Sequence, residues 1–244
     1  MAISQSTEPT ESTQSTQPDQ PAQPARSAQP TRSAQSTDGR RIKGMRTRQA
    51  ILAHAARVGS AEGLDAVSLQ RLADDLGISK SGLFAHFGSK EELHLATIDA
   101  AAEIFTEHVI RPALSEPRGV GRVLALCTSW LQYVERGTFP GGCFFWAVAE
   151  EYDSRRPGRV RDSVLEKKAY WSYSLKRAVR EAQQAGEIDA TVDPEQLAWE
   201  LDSLLGGVNS GFKGEDGPLA IERGRRAIRD RLLRASTPTA KPIA

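Results

Sequence analysis

Residues 67–87 read "VSLQRLADDLGISKSGLFAHF", two short apolar-striped segments interrupted at Gly77. Leu69, Leu72, Ala73 and Leu76 share one face of a helical period, with Ser68 in front as a cap and Gly77 behind as a stop. After the Gly77-Ile78-Ser79 turn, Leu83 and Phe87 mark the inner face of a second helix barely two turns long. A helix, a tight turn and a second short helix are the sequence form of a helix-turn-helix, whose second helix lies in the major groove of DNA. The residues leading such a helix must be slim enough to approach base edges. Ser79, Ser81 and Gly82 are slim, and Lys80 offers a cation to a guanine edge or a phosphate.

The same helical period runs through the chain between residues 41 and 234, which places it in the all-α class. Ile51, Ala55 and Val58 form a first stripe that Gly63 stops. Ser89 and Glu92 have capping-box spacing at the start of a fourth helix, which carries Leu93, Ala96, Ala100 and Ile104 and is expected to end at Pro112. Further helices are expected over about 119–136, 143–153, 158–186, 194–211 and 218–234. The resulting divisions are a low-complexity tail (1–40), a helix-turn-helix domain (41–88), a linking helix (89–112), a larger helical domain (113–234) and a flexible C-terminus (235–244). The tail is built from Ser, Thr, Gln, Pro and Ala, which cannot bury enough surface to offset backbone ordering, so it is expected to be disordered.

With 244 residues and 39% hydrophobic content the chain can bury a substantial core, and a net charge of +1 gives no global bias towards nucleic acid or membrane. The bias is local. Residues 41–90 hold eight basic and four acidic side chains, leaving the rest of the chain net acidic. Cys127 and Cys143 lie in apolar surroundings without ligand spacing and read as buried free thiols. His54, His94 and His108 are scattered, so neither a metal nor another cofactor is expected. No long apolar run or signal core is present, so no membrane partner is expected and the cytoplasm is the expected compartment.

Three segments, "TRQAILAHAARVGSAEG", the pair of short helices and "FGSKEEL", together give residues 45–97 a pattern that resembles the tetracycline-repressor (TetR) family of transcriptional regulators. The resemblance implies that Ser68, Lys80, Ser81, Gly82, Phe84 and His86 face double-stranded operator DNA, with Arg46, Thr47 and Lys90 near its backbone. Phe84 stands where the family often has a tyrosine, and lacking a hydroxyl it suits a thymine methyl better than a phosphate. His86 has an alternative role as a hydrogen-bonded lock between the third and fourth helices.

Residues 113–234 carry all four tryptophans and all four tyrosines. Aromatic residues on helices form ordinary core or line an apolar cavity. The resemblance implies a small-molecule effector site in this domain, with Trp130, Tyr133, Phe145, Trp146, Tyr170, Trp171 and Tyr173 as its candidate lining. It also implies a homodimer closed by a four-helix bundle. Leu197, Leu201, Leu204, Leu205, Val208 and Phe212, followed by Ile221, Ile228 and Leu232, are the candidate dimer stripes, with Gly206 and Gly207 permitting close approach. The expected function is that of a ligand-responsive DNA-binding repressor and not an enzyme. The alternatives are a regulator without ligand control and, more remotely, an enzyme using Cys143 as nucleophile.

Overall fold

The computed structural model describes residues 32–152 and 157–240. They form α1 (Arg32–Glu62), α2 (Leu69–Leu76), α3 (Lys80–Phe87), α4 (Lys90–Phe105), α5 (Arg111–Leu114), α6 (Val120–Glu135), α7 (Phe144–Tyr152), α8 (Arg159–Gln184), α9 (Pro194–Lys213) and α10 (Pro218–Ala235). No strand occurs among the described residues, and the fold is all-α as the hydrophobic period requires. No described helix is long and apolar enough to cross a membrane.

The short helices owe their ends to serine and glycine. Ser68, Ser79 and Ser89 each accept a hydrogen bond from the backbone N–H three residues on, at Arg71, Gly82 and Glu92, which satisfies one otherwise orphaned donor per helix. Gly77 ends α2 in the left-handed region at φ 63°, a conformation that costs glycine nothing.

Two apolar clusters divide the side chains. Ile51, Leu52, Val58, Val67, Leu72, Leu83, Phe87 and Leu93 close around one another to form the core of the N-terminal head. The larger cluster draws on α4 and on every later helix, and its centre is built from side chains such as Trp130, Phe144, Leu175, Leu201 and Ile228. Helix α4 serves both, giving Leu93 to the head and Ile98, Ala101 and Phe105 to the larger domain.

Three boundaries depart from the sequence reading. Helix α1 begins at Arg32, inside the stretch expected to be tail, because extending an existing helix needs no new nucleus; positions 1–31 lie outside the described residues. The fourth helix does not stop at Pro112. A π-turn over Thr106–Ile110, with the Arg111 N–H bonded to the Thr106 carbonyl, shifts the hydrogen-bond ladder ahead of the proline, and a last helical turn follows as α5. Finally, residues 235–240 are tied down rather than flexible. Ala235 is buried, and Thr237 donates its N–H to the Glu187 carbonyl at 3.0 Å and its hydroxyl to that of Gly186 at 2.6 Å. Residues 241–244 lie outside the described residues.

Candidate nucleic-acid interface and aromatic cavity

Leu83 and Phe87 are buried in the head core and fix the inner face of α3. Lys80, Ser81, Gly82, Phe84 and His86 are therefore all on its exposed side, and Phe84 is 57% exposed, far more than a ring of its size needs for core packing. A Cβ added at Gly82 would lie 3.0 Å from the Ser79 cap oxygen, so glycine keeps the first turn slim and its cap undisturbed. His86 makes no hydrogen bond among the described residues; its ring lies beside Phe87 at 6.1 Å, so it does not lock α3 to α4. Arg48 on α1, whose guanidinium lies 5.2 Å over the Phe87 ring, ties α3 to α1, and His94 on α4, whose ring nitrogen donates to the Val67 carbonyl at 2.9 Å, ties α4 to the segment before α2.

The remaining candidates for DNA contact surround this face. Arg46 is exposed on α1, and the Thr47 hydroxyl is turned back to the Lys43 carbonyl at 3.0 Å. Ser68 is half-buried and engaged as the cap of α2. Lys90 opens α4 and donates to the Asp65 carbonyl at 3.0 Å, which holds its ammonium at the edge of the head.

The head is joined to the larger domain through α7 and α8. Glu151, near the end of α7, accepts the backbone N–H groups of Leu64 and Asp65 at 2.6 and 3.1 Å, in the turn that leads into α2. Gly63 beside it has φ 87°, and a Cβ there would meet the Glu151 carboxylate at 2.7 Å. Arg159, at the start of α8, bridges Glu91 and Glu92 at the start of α4 at 3.1 and 2.6 Å.

Behind these joints lies a cavity of about 50 Å³ lined by Phe105, Trp130, Phe145, Trp146, Tyr170 and Trp171, with Lys167, Lys168 and Asp202 as its charged groups. Of the candidate lining residues, Trp130, Phe145, Trp146, Tyr170 and Trp171 are brought together. Tyr133 is instead part of the solid core, edge-on to Phe105 at 5.6 Å, and Tyr173 is exposed on α8 away from the cavity. Aromatic composition found the region without distinguishing the helix faces. Phe105 and Asp202 gave no such signal, since one sits on α4 and the other within the apolar run of α9. Burial raises the Asp202 pKa, against the opposing pull of the Trp171 N–H and of Lys168.

Cys143 also lines the cavity, and desolvation pushes its thiol pKa up to about 11, with hydrogen bonds only partly opposing. A thiol so far from ionising is no nucleophile at neutral pH. No group of side chains suited to holding a metal occurs among the described residues.

The candidate dimer stripes need correction. Leu197, Leu201, Leu205, Val208, Ile221, Ile228 and Leu232 are buried within the chain's own core, and Leu204 and Phe212 are partly open. A helical period identifies an apolar stripe but not which neighbour covers it. The outer side of α9 and α10 carries a groove of about 800 Å³ lined by residues that include Trp199, Ser203, Leu204, Arg226 and Ala227. Trp199 is 64% exposed there, the most open large apolar side chain among the described residues. Gly206 faces inward, where a Cβ would clash with the Trp146 ring, while Gly207 meets nothing.

Comparison with known proteins agrees with this geometry. Residues 51–97 match "Bacterial regulatory proteins, tetR family" and residues 119–228 match "Tetracyclin repressor-like, C-terminal domain", together more than half of the chain. The HTH-type transcriptional repressor AcnR of Corynebacterium glutamicum is 37% identical over 83 residues, a match spanning 31% of this chain and 44% of that repressor, less than half its length. A TetR transcriptional regulator from Chloroflexus aurantiacus J-10-FL superposes with a TM-score of 0.73 at 25% identity, covering 80% of this chain and 98% of that one. AibR, solved in complex with isovaleryl coenzyme A and operator DNA, superposes with a TM-score of 0.60 at 25% identity over 74% of this chain and 95% of its own. With both halves matched, a helix-turn-helix head and a helical C-terminal domain, the chain belongs to the TetR family of transcriptional regulators.

Proposed function

We propose that the protein is a homodimeric repressor that holds a palindromic operator through α3 and releases it when a small, largely apolar molecule enters the aromatic cavity. The observation that carries the reading is the division of α3. Leu83 and Phe87 are spent on the head core, and Lys80, Ser81, Gly82, Phe84 and His86 are exposed on the opposite side. Ser68, as the cap of α2, faces the DNA beside them, and Arg46, Thr47 and Lys90 meet the DNA backbone, where phosphate contacts fix register without reading sequence.

Dimerisation uses the outer side of α9 and α10, centred on Trp199, since a groove holding an exposed tryptophan suits an isologous partner. Release is coupled through the helices that wall the cavity. Phe145 and Trp146 lie on α7, the helix whose Glu151 holds the turn before α2; Lys168, Tyr170 and Trp171 lie on α8, the helix whose Arg159 holds the start of α4. A ligand larger than the present cavity must move one of these walls, and either movement disturbs the seating of the head. AibR, with ligand and operator, is a precedent for both kinds of partner on this fold.

Selection of bound sequences from a randomised duplex library tests the reading. It is expected to enrich a palindrome with half-sites about one helical turn or a multiple of it apart. A single unpaired half-site would contradict the dimer, and absence of any enrichment would contradict operator recognition.

A further inference from the structure

We infer that the cavity accepts a small organic cation, an alkylated ammonium with an apolar body, whose charge sits between the aromatic walls and Asp202. The inference rests on the cavity being the ligand site proposed above. Three features of the lining point to it.

The first is the wall itself. Phe105, Trp130, Phe145, Trp146, Tyr170 and Trp171 present ring faces and edges to a confined space, and ring faces attract cations through the aromatic quadrupole. The second is Asp202, the one acidic residue of the lining. Its carboxylate accepts the Trp171 indole N–H at 2.7 Å, which fixes its orientation. The nearby charge of Lys168 offsets the burial of this carboxylate only in part, and a ligand cation arriving in the cavity can take over and add to that counter-charge.

The third feature is a cation already in place. Lys168 lines the cavity with its ammonium 5.0 Å over the Trp146 ring, and it forms no ion pair among the described residues. Lys167, next in sequence, is instead tied to Asp99 at 3.3 Å. The chain thus fills the cation position with a tethered side chain of its own. Lys168 is only half-buried, so its flexible stem can swing to solvent when a ligand ammonium takes its place. An anionic ligand meets the wrong sign at Asp202 and at the ring faces, with Lys167 already paired to Asp99 and Lys168 already over the Trp146 ring, while a neutral one adds no counter-charge to Asp202.

Three isosteric probes separate these cases: benzyltrimethylammonium, the uncharged neopentylbenzene, and the anionic phenylmethanesulfonate. Titration calorimetry on the full chain is expected to show the cation binding at least about tenfold tighter than the neutral isostere, with the anion weakest. Asp202→Asn retains an acceptor for Trp171, so it should fold; it is expected to weaken the cation about tenfold or more and the neutral probe by less than about threefold. Lys168→Met should strengthen the cation by removing its internal competitor. Preference for the anion, an Asp202→Asn protein that binds the cation as well as the parent, or no binding of any probe would overturn the inference. The regulatory reading is judged separately, by operator affinity in the presence of whichever probe binds. If the cation binds as expected and operator affinity does not move, the ligand class stands and the regulatory reading falls.

Discussion

In the head, the functional surface is what the core leaves over; in the larger domain, it is a gap inside the core. Helix α3 has eight residues, of which Leu83 and Phe87 are buried, so the rest of that helix is free to meet a partner. The larger domain encloses most of its aromatic residues, and a cavity remains where Phe105, Trp146 and Trp171 fail to close. The contrast teaches that a short element displays its chemistry while a large one hides it. It also predicts that the two regions respond differently to damage.

The largest effect is expected from Leu83→Ala, which removes a fully buried side chain from the small head cluster and should cost about 2–5 kcal/mol there, with loss of operator binding. All four tryptophans lie outside the head. Tryptophan fluorescence should therefore report a larger domain that melts as in the parent, while circular dichroism reports early loss of helix. Simultaneous melting of both signals at the lower temperature would break the comparison and make the chain one cooperative unit.

Next in size is a pair of adjacent glycines. Gly206→Ala drives a methyl group into the Trp146 ring and should cost about 1–3 kcal/mol, with a change in tryptophan emission as the cavity wall shifts. Gly207→Ala meets no neighbour among the described residues and should leave the emission unchanged. Equal spectra from the two variants would mean that Gly206 does not set the wall.

Glu151→Gln sharpens the account of the joint between the regions. It replaces a charged acceptor of two backbone N–H groups with a neutral one, and should cost about 1 kcal/mol in thermal stability. Operator binding should weaken with it, because the turn before α2 loses its support. Unchanged operator affinity would place the coupling elsewhere, with Arg159 on α8 the next candidate.

Much of this was legible from sequence for the head and less for the larger domain, and the reason is physical. Capping serines, stop glycines and a three-residue turn are local rules, so Ser68, Gly77, Ser79 and Ser89 could be assigned from their neighbours alone. Whether a stripe faces its own chain or a second copy is a tertiary matter. Leu201 and Ile228 carried a correct period and the wrong partner, while Trp199 on the opposite side of α9 carried none. The cavity was half legible: aromatic composition located it, but Tyr133 and Tyr173 differ from Trp130 and Tyr170 only in the direction each faces. Pro112 was misread because the π-turn that accommodates it has no sequence mark of its own.

The smallest expected effect is a pH dependence confined to the head. Burial, aided by the charge of Lys90, lowers the His94 pKa below 6.5, and the hydrogen bond to the Val67 carbonyl opposes it only in part. The folded head therefore keeps this imidazole neutral at pH values where the unfolded chain protonates it. Stability from this group is full above pH 6.5 and falls as pH drops below it. Denaturant titration of parent and His94→Gln proteins between pH 7 and 5 should show the steeper loss in the parent. The same slope in both would assign the loss to other groups.

The central claim is that α3 reads bases while the start of α4 only positions the head, and Lys80 and Lys90 carry the same charge in those two places. Competition binding of Lys80→Ala and Lys90→Ala proteins to a randomised operator library at two salt concentrations tests it most directly. Lys80→Ala should cost about 1–3 kcal/mol per half-site and relax preference at one base pair. Lys90→Ala should weaken operator and random DNA alike and reduce the salt slope by about 1 per lost contact. A Lys80→Ala protein that weakens all sequences equally, beside a Lys90→Ala protein that changes base preference, would contradict the account.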